Sequence, residues 1–122
     1  MGPSQPTLKR NPMFIRCAFF EGRAKVGMEE EFKAFVRQHL VPLWTQFPGA
    51  EEVRVLHQID SDTDNPHYAM VLAIRYPSKA AIELALQSDV RNQSRRVTQD
   101  LVKLFDGRIF HTVFDANHYA IT

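Results

Sequence analysis

The chain has 122 residues, room for one ordinary domain and not for two. Apolar residues make up 44%, including nine Phe, three Tyr and one Trp, which excludes a disordered chain and implies a packed core. Fifteen basic against fourteen acidic side chains leave a net charge of +1, which argues against an electrostatic grip on nucleic acid.

No apolar run approaches the ~20 residues that span a bilayer, so no membrane partner is expected. The single Cys17 excludes an internal disulfide framework and a Cys-based zinc cluster. Residues 1–12 hold Pro3, Pro6 and Pro12, with Met1 and Leu8 as their only apolar members. They read as a disordered N-terminal tail without the apolar segment of a secretory signal, and a cytoplasmic location is expected. A single domain then occupies 13–122.

Residues 13–20 are β-prone and apolar on both alternating faces, with Phe14, Arg16, Ala18 and Phe20 on one side and Ile15, Cys17 and Phe19 on the other. A turn over 22–27 leads to a helix over 28–47, because Met28, Phe32, Phe35, Val36, Leu40, Leu43 and Phe47 recur with the 3.6 period. Glu29, Glu30 and Glu31 suit its positive end. Pro42 should kink it, and Pro48-Gly49 should stop it. Residues 52–59 alternate as a strand, and the polar run 60–66 is a connecting loop. Residues 67–76 form the most continuously apolar strand, hence a central one. Helical spacing returns over 79–105, with a cap at Ser78, a break at Ser88-Asp89 and Gly107 as the stop. Residues 108–115 form the last strand, with Phe110 and Phe114 on one side and Ile109, His111 and Val113 on the other.

The order β-α-β-β-α-β defines an α+β, ferredoxin-like fold, with a four-stranded antiparallel sheet and both helices on one face. Apolar residues on the uncovered face then call for a partner surface, and a second copy of the sheet is the simplest one, so a homodimer is expected. A monomer whose sheet is covered by Arg16, Arg54 and Arg75 with the tail is the alternative.

The element order, the doubly apolar sheet and residues 32–55 resemble the EthD-like family of the dimeric α+β barrel superfamily. Phe32, His39, Pro42, Leu43, Pro48 and Gly49 carry the resemblance. The family pattern is His-x-Pro-Leu, whereas this chain has His39-Leu40-Val41-Pro42-Leu43. With Pro42-Leu43 aligned, the family His falls on Leu40 and His39 comes one residue early, a rotation of roughly 100° on a helix. His39 reaches the family's pocket if Pro42 distorts the turn. The resemblance implies a cleft between helices and sheet for a small apolar or aromatic molecule. Relatives include cofactor-independent monooxygenases, a lactone isomerase and accessory proteins of xenobiotic breakdown.

His39 is the candidate catalytic base, able to take a proton from a phenol or from carbon beside a carbonyl. Phe35 lies one turn before it and is a candidate ligand contact. Trp44 could floor an aromatic pocket or belong to the core. Arg16 could hold a ligand carboxylate or enolate with its planar fork, or form a dimer-interface salt bridge. The hydroxyl of Tyr68 or of Tyr76, at the two ends of the third strand, could orient a ligand, or each could be a core or rim tyrosine. His57 and His111 fall on strands expected at opposite edges of the sheet, too far apart for one metal site, and read as structural. Arg91, Arg95, Arg96 and Lys103 read as a solvated basic face. Asp60, Asp62 and Asp64 imitate the start of an EF-hand loop, but Asn65, Pro66 and Val71 break it, so no metal is expected. No cofactor motif occurs. Two functions follow. One is a cofactor-independent oxygenase or isomerase of small aromatic or lactone catabolites. The other is a non-catalytic ligand-binding or accessory protein of a degradation pathway. An RNA-binding module of the same element order lacks the basic surround it would need.

Overall fold

Alternation and helical periodicity place the elements much as expected, and their ends differ for physical reasons. The computed structural model describes Thr7–Leu8 and residues 12–121. Most of the expected tail lies outside the described residues. Within it, β1 (Thr7–Leu8) pairs antiparallel with β6 (Tyr119–Ala120), a contact that composition does not reveal. The main sheet has four antiparallel strands, β2 (Phe14–Ala24), β3 (Glu52–Leu56), β4 (Tyr68–Tyr76) and β5 (Phe105–Asp115), in the order β3-β4-β2-β5. This is the ferredoxin-like arrangement, with β2 and β4 central.

Strands β2 and β5 run further than the sequence pattern suggests, from Phe14↔Asp115 to Ala24↔Phe105. Gly22 and Gly107 make this possible. They are cross-strand partners with φ of 136° and 154°, and a Cβ on either would strike the opposing backbone at Asp106 or Glu21. Only glycine permits that approach. Gly107 therefore lies inside a strand and does not stop the preceding helix.

The first helical stretch is divided into α1 (Glu29–Phe35), a π-helical turn (Val36–Leu40) and α2 (Val41–Trp44). Pro42 has no N–H to give to the carbonyl four residues back, and its ring crowds that carbonyl. The ladder relaxes by widening, and the Val41 N–H bonds to the Val36 carbonyl, five residues back. Leu40 ends fully buried, and His39 is turned outward and exposed. Ser78 caps α3 (Lys79–Leu86) by accepting from the Ala81 N–H at 3.0 Å. Ser88 caps α4 (Asp89–Val102) by accepting from Arg91 at 3.3 Å, so the expected break is two separate caps.

The helices cover one face of the sheet. Phe32, Val36, Leu40, Met70 and Leu101 form the centre of the core between the layers. Each fully buried side chain of this size contributes about 1.5–3 kcal/mol. The other face carries Phe19, stacked on Phe110 at 5.0 Å and in contact with Tyr68 and Phe114. Leu56 and Phe114 on this side remain 50% and 45% exposed. Among the described residues, no helix is long and apolar enough to cross a membrane.

Candidate functional site

The helix layer does not seal against the sheet everywhere. Between α4 and strands β2, β4 and β5 lies a cavity of about 410 Å³. It opens where small side chains face each other, Ala18 on the sheet and Ser94 and Thr98 on α4, because interiors are otherwise close-packed. Phe20, Trp44, Phe47, Leu72, Ile74 and Ile109 give it an apolar floor and wall. Trp44 is 4% exposed and held by the turn that Pro42 creates.

The polar side is built from two elements. On the sheet, Arg16 opposes Val113 and Ile74, while Ala18 opposes His111 and Phe14 opposes Tyr76. Tyr76 and His111 are thus diagonal neighbours of Arg16 on either side, all facing the helices. On α4, Arg91, Ser94, Arg95 and Thr98 recur at i, i+3, i+4 and i+7 and line the opposite wall. Ser94 donates to the Arg91 carbonyl at 2.7 Å, and Thr98 to the Ser94 carbonyl at 2.7 Å. These back-bonds fix the hydroxyls along the helix.

The lining holds three guanidiniums and no carboxylate. The ion pairs among the described residues use Arg54, Arg75, Lys103 and Arg108, and leave Arg16, Arg91 and Arg95 without an acid. Burial, then Arg91, pushes the Arg16 pKa down, with Tyr76 acting weakly the other way. Burial, then Arg95, lowers that of Arg91. Burial raises that of Tyr76, so its phenol stays protonated. His111 is pushed down to about 4 by burial first and then by Arg16, Arg91 and Arg95. His111 lines the cavity and as a whole residue is exposed to solvent. The imidazole is therefore neutral at pH 7, with a lone pair available.

Of the residues singled out from sequence, Arg16 and Trp44 meet in this cavity. His39 and Phe35 lie together elsewhere, ring centroids 4.9 Å apart, in a shallow depression on the outer helix face with Pro42, Gln93, Val97 and Asp100. The turn at Pro42 is distorted as anticipated, yet it directs Leu40 inward, not His39. Tyr68 sits on the far face of the sheet against Phe19. His57 and His67 use Nδ1 on the carbonyls of Ala69 and Gly22, at 3.3 and 2.8 Å. Sequence reasoning missed His111, Arg91 and Arg95 as cavity residues, whereas Tyr76, offered beside Tyr68, does line the cavity. The half-buried Arg91 departs from the expected solvated basic face, while Arg95 stays exposed and borders the cavity from α4. The signal was present in that polar i, i+4 stripe beside the apolar Val90, Val97 and Leu101. It was also present in two polar residues, Arg16 and His111, on the helix-facing side of two strands. Among the described residues no group of three or more His, Cys, Asp and Glu side chains could hold a metal ion.

Fold and cavity together define a ferredoxin-like α+β protein with an apolar, positively charged helix–sheet cavity. No protein-family model matches the chain, and no curated protein matches its sequence. Solved structures do. An EthD family protein from Bacillus halodurans superposes with a TM-score of 0.67 at 14% identity, over 85% of this chain and 98% of that one. A variant of SnoaB, a cofactor-independent oxygenase from Streptomyces nogalater, gives 0.57 at 17% identity, over 87% and 93%. A dimeric protein of unknown function and ferredoxin-like fold from Bacteroides fragilis gives 0.63 at 8% identity, over 85% and 96%. At such identities the likeness is one of fold. The chain shares the ferredoxin-like fold of these proteins.

Proposed function

We propose that this protein takes a small, largely aromatic molecule into the cavity beneath α4 and moves a proton there through His111, as a cofactor-independent oxygenase or isomerase of the EthD-like kind. The observation that carries this reading is a cavity of about 410 Å³ whose apolar floor meets a neutral imidazole flanked by cations. Its volume falls low in the range of about 300–1,000 Å³ typical of ligand sites. His111 would accept a proton from a phenol, or from carbon beside a carbonyl. The oxyanion left behind would lie near Arg16, whose positive charge favours it. Return of the proton to a second atom completes an isomerisation. With dioxygen as co-reactant, the same enolate is a substrate for oxygenation, the direction in which the likeness to SnoaB points.

One observation favours a second reading, ligand binding without turnover in an accessory role. An imidazole near 4 is a weak base, and general bases work best with a pKa near the working pH. The proposal includes a homodimer joined through the Phe19–Phe110 face, supported by its exposed Leu56 and Phe114. It also includes a cytoplasmic location, which suits the free, buried Cys17.

Oxygen uptake and absorbance change across quinols, phenols and lactones test the reaction, with the wild type, His111→Ala and His39→Ala side by side. The expected result is activity abolished in His111→Ala and kept in His39→Ala. Activity lost only in His39→Ala would move the chemistry to the outer helix face. Trp44 quenching without turnover would leave binding as the function.

A further inference from the structure

We infer that the ligand of this cavity is a planar organic carboxylate, its acid group held by Arg16 from the sheet and by Arg91 and Arg95 from α4, and its ring seated on Trp44 and Phe47. The inference rests on the cavity reading above and adds the chemical class of the ligand. Three guanidiniums reach one cavity from two opposing layers, and no carboxylate in the lining answers them. Arg91 gives one N–H to the Leu86 carbonyl at 3.4 Å and Arg95 is exposed, yet no acid among the described residues neutralises any of the three. Arg91 and Arg95 are like charges one helical turn apart, which destabilises a helix. Arg91 also stands in the first turn of α4, where the dipole disfavours a cation. Arg16 is half-buried beside aliphatic strand residues, away from any ion pair among the described residues. A bound anion relieves all three costs at once.

The shape of the site narrows the class. Guanidinium forks match the planar, two-oxygen carboxylate group. Away from the arginines and from Ser94, Thr98 and Gln99 on α4, the floor of Phe20, Trp44, Phe47, Leu72 and Ile74 is apolar and aromatic, a surface that suits a flat ring. The Tyr76 phenol, kept protonated, adds a donor on the same side as Arg16.

Quenching of Trp44, the only tryptophan, reads occupancy directly. The probes are 2-naphthoate and its methyl ester, titrated into the wild type and into Arg91→Gln/Arg95→Gln. The wild type should bind the acid at least about tenfold more tightly than the ester, the scale of a charge-assisted contact. The double variant should lose that preference while holding the ester as before. Equal binding of acid and ester, with no response to the double variant, overturns the carboxylate inference and leaves the aromatic cavity standing. Failure of both probes to quench Trp44 overturns the cavity reading together with it. Since Arg16→Gln changes the sheet wall alone, a preference kept in the double variant and lost in Arg16→Gln would reject the helix arginines as the anion site.

Discussion

His111 should carry a proton only below about pH 4, and the charges around it should be removable one at a time. Arg95→Gln deletes the weakest of the three cations acting on it, at an exposed helical position that the core does not need. The midpoint should rise from about 4 but stay short of the ordinary 6.5, because burial, the largest cause, is untouched. Arg16→Gln should raise it further, since Arg16 is the largest of the charge effects. The sign of the stability effect follows. The folded pKa lies below the unfolded one, so the unfolded chain binds this proton more readily. The contribution is fully present above pH 6.5 and is lost as pH falls toward 4. Read without screening, a separation of 4 from 6.5 corresponds to about 3 kcal/mol. His111 is an exposed residue, and solvent screening reduces this to on the order of 1 kcal/mol. Proton NMR of the ring hydrogens, with His111→Gln identifying the signal, gives the midpoint. Urea unfolding of the wild type and His111→Gln between pH 7 and pH 4 gives the energy difference. A midpoint at 6.5, or no response to either arginine variant, would refute the electrostatic picture of the cavity. Saturating 2-naphthoate should raise the same midpoint, because a carboxylate offsets the guanidiniums.

Phe110→Asp should weaken self-association by about 100-fold, since it places a charge in the aromatic face where a Phe would otherwise be buried, and sedimentation should show twice the chain mass for the wild type only. Leu101→Ala, at a position with no exposure, should cost about 2–5 kcal/mol in urea unfolding. Gly107→Ala should cost at least about 1–3 kcal/mol, because its φ of 154° and the facing Glu21 carbonyl leave no room for a Cβ, whereas Gly27→Ala should cost less, as its Cβ would meet open space. Trp44→Phe should keep the fold and abolish ligand-dependent quenching.

The fold was legible because its signals are local. Alternation placed Arg16, Ala18 and Phe20 on one face and Phe19 on the other, and the serine caps at Ser78 and Ser88 divided the second helical stretch. The β1–β6 pairing and the Gly22–Gly107 approach were not legible, since both depend on partners about 85 residues or more away in sequence. The site was half legible. Arg16 and Trp44 could be chosen from their neighbours, but the direction of His39 depended on how the helix would absorb Pro42. A π turn adds one residue to the ladder and so rotates every side chain before it relative to those after it. Arg91 and Arg95 resembled a solvated face because composition does not state which side of α4 meets the sheet. His111 resembled a structural edge residue because its importance comes from charges on other elements.

The proposed working cavity lies beneath α4, with the anion on Arg16, Arg91 and Arg95. A crystal structure of the wild type grown with 2-naphthoate tests this most directly. The expected result is the ring over Trp44 and Phe47, with carboxylate oxygens at about 3 Å from the guanidinium nitrogens. Density for the molecule in the outer depression beside His39 and Phe35, with the α4 cavity free of it, would show that the ligand site is not the α4 cavity.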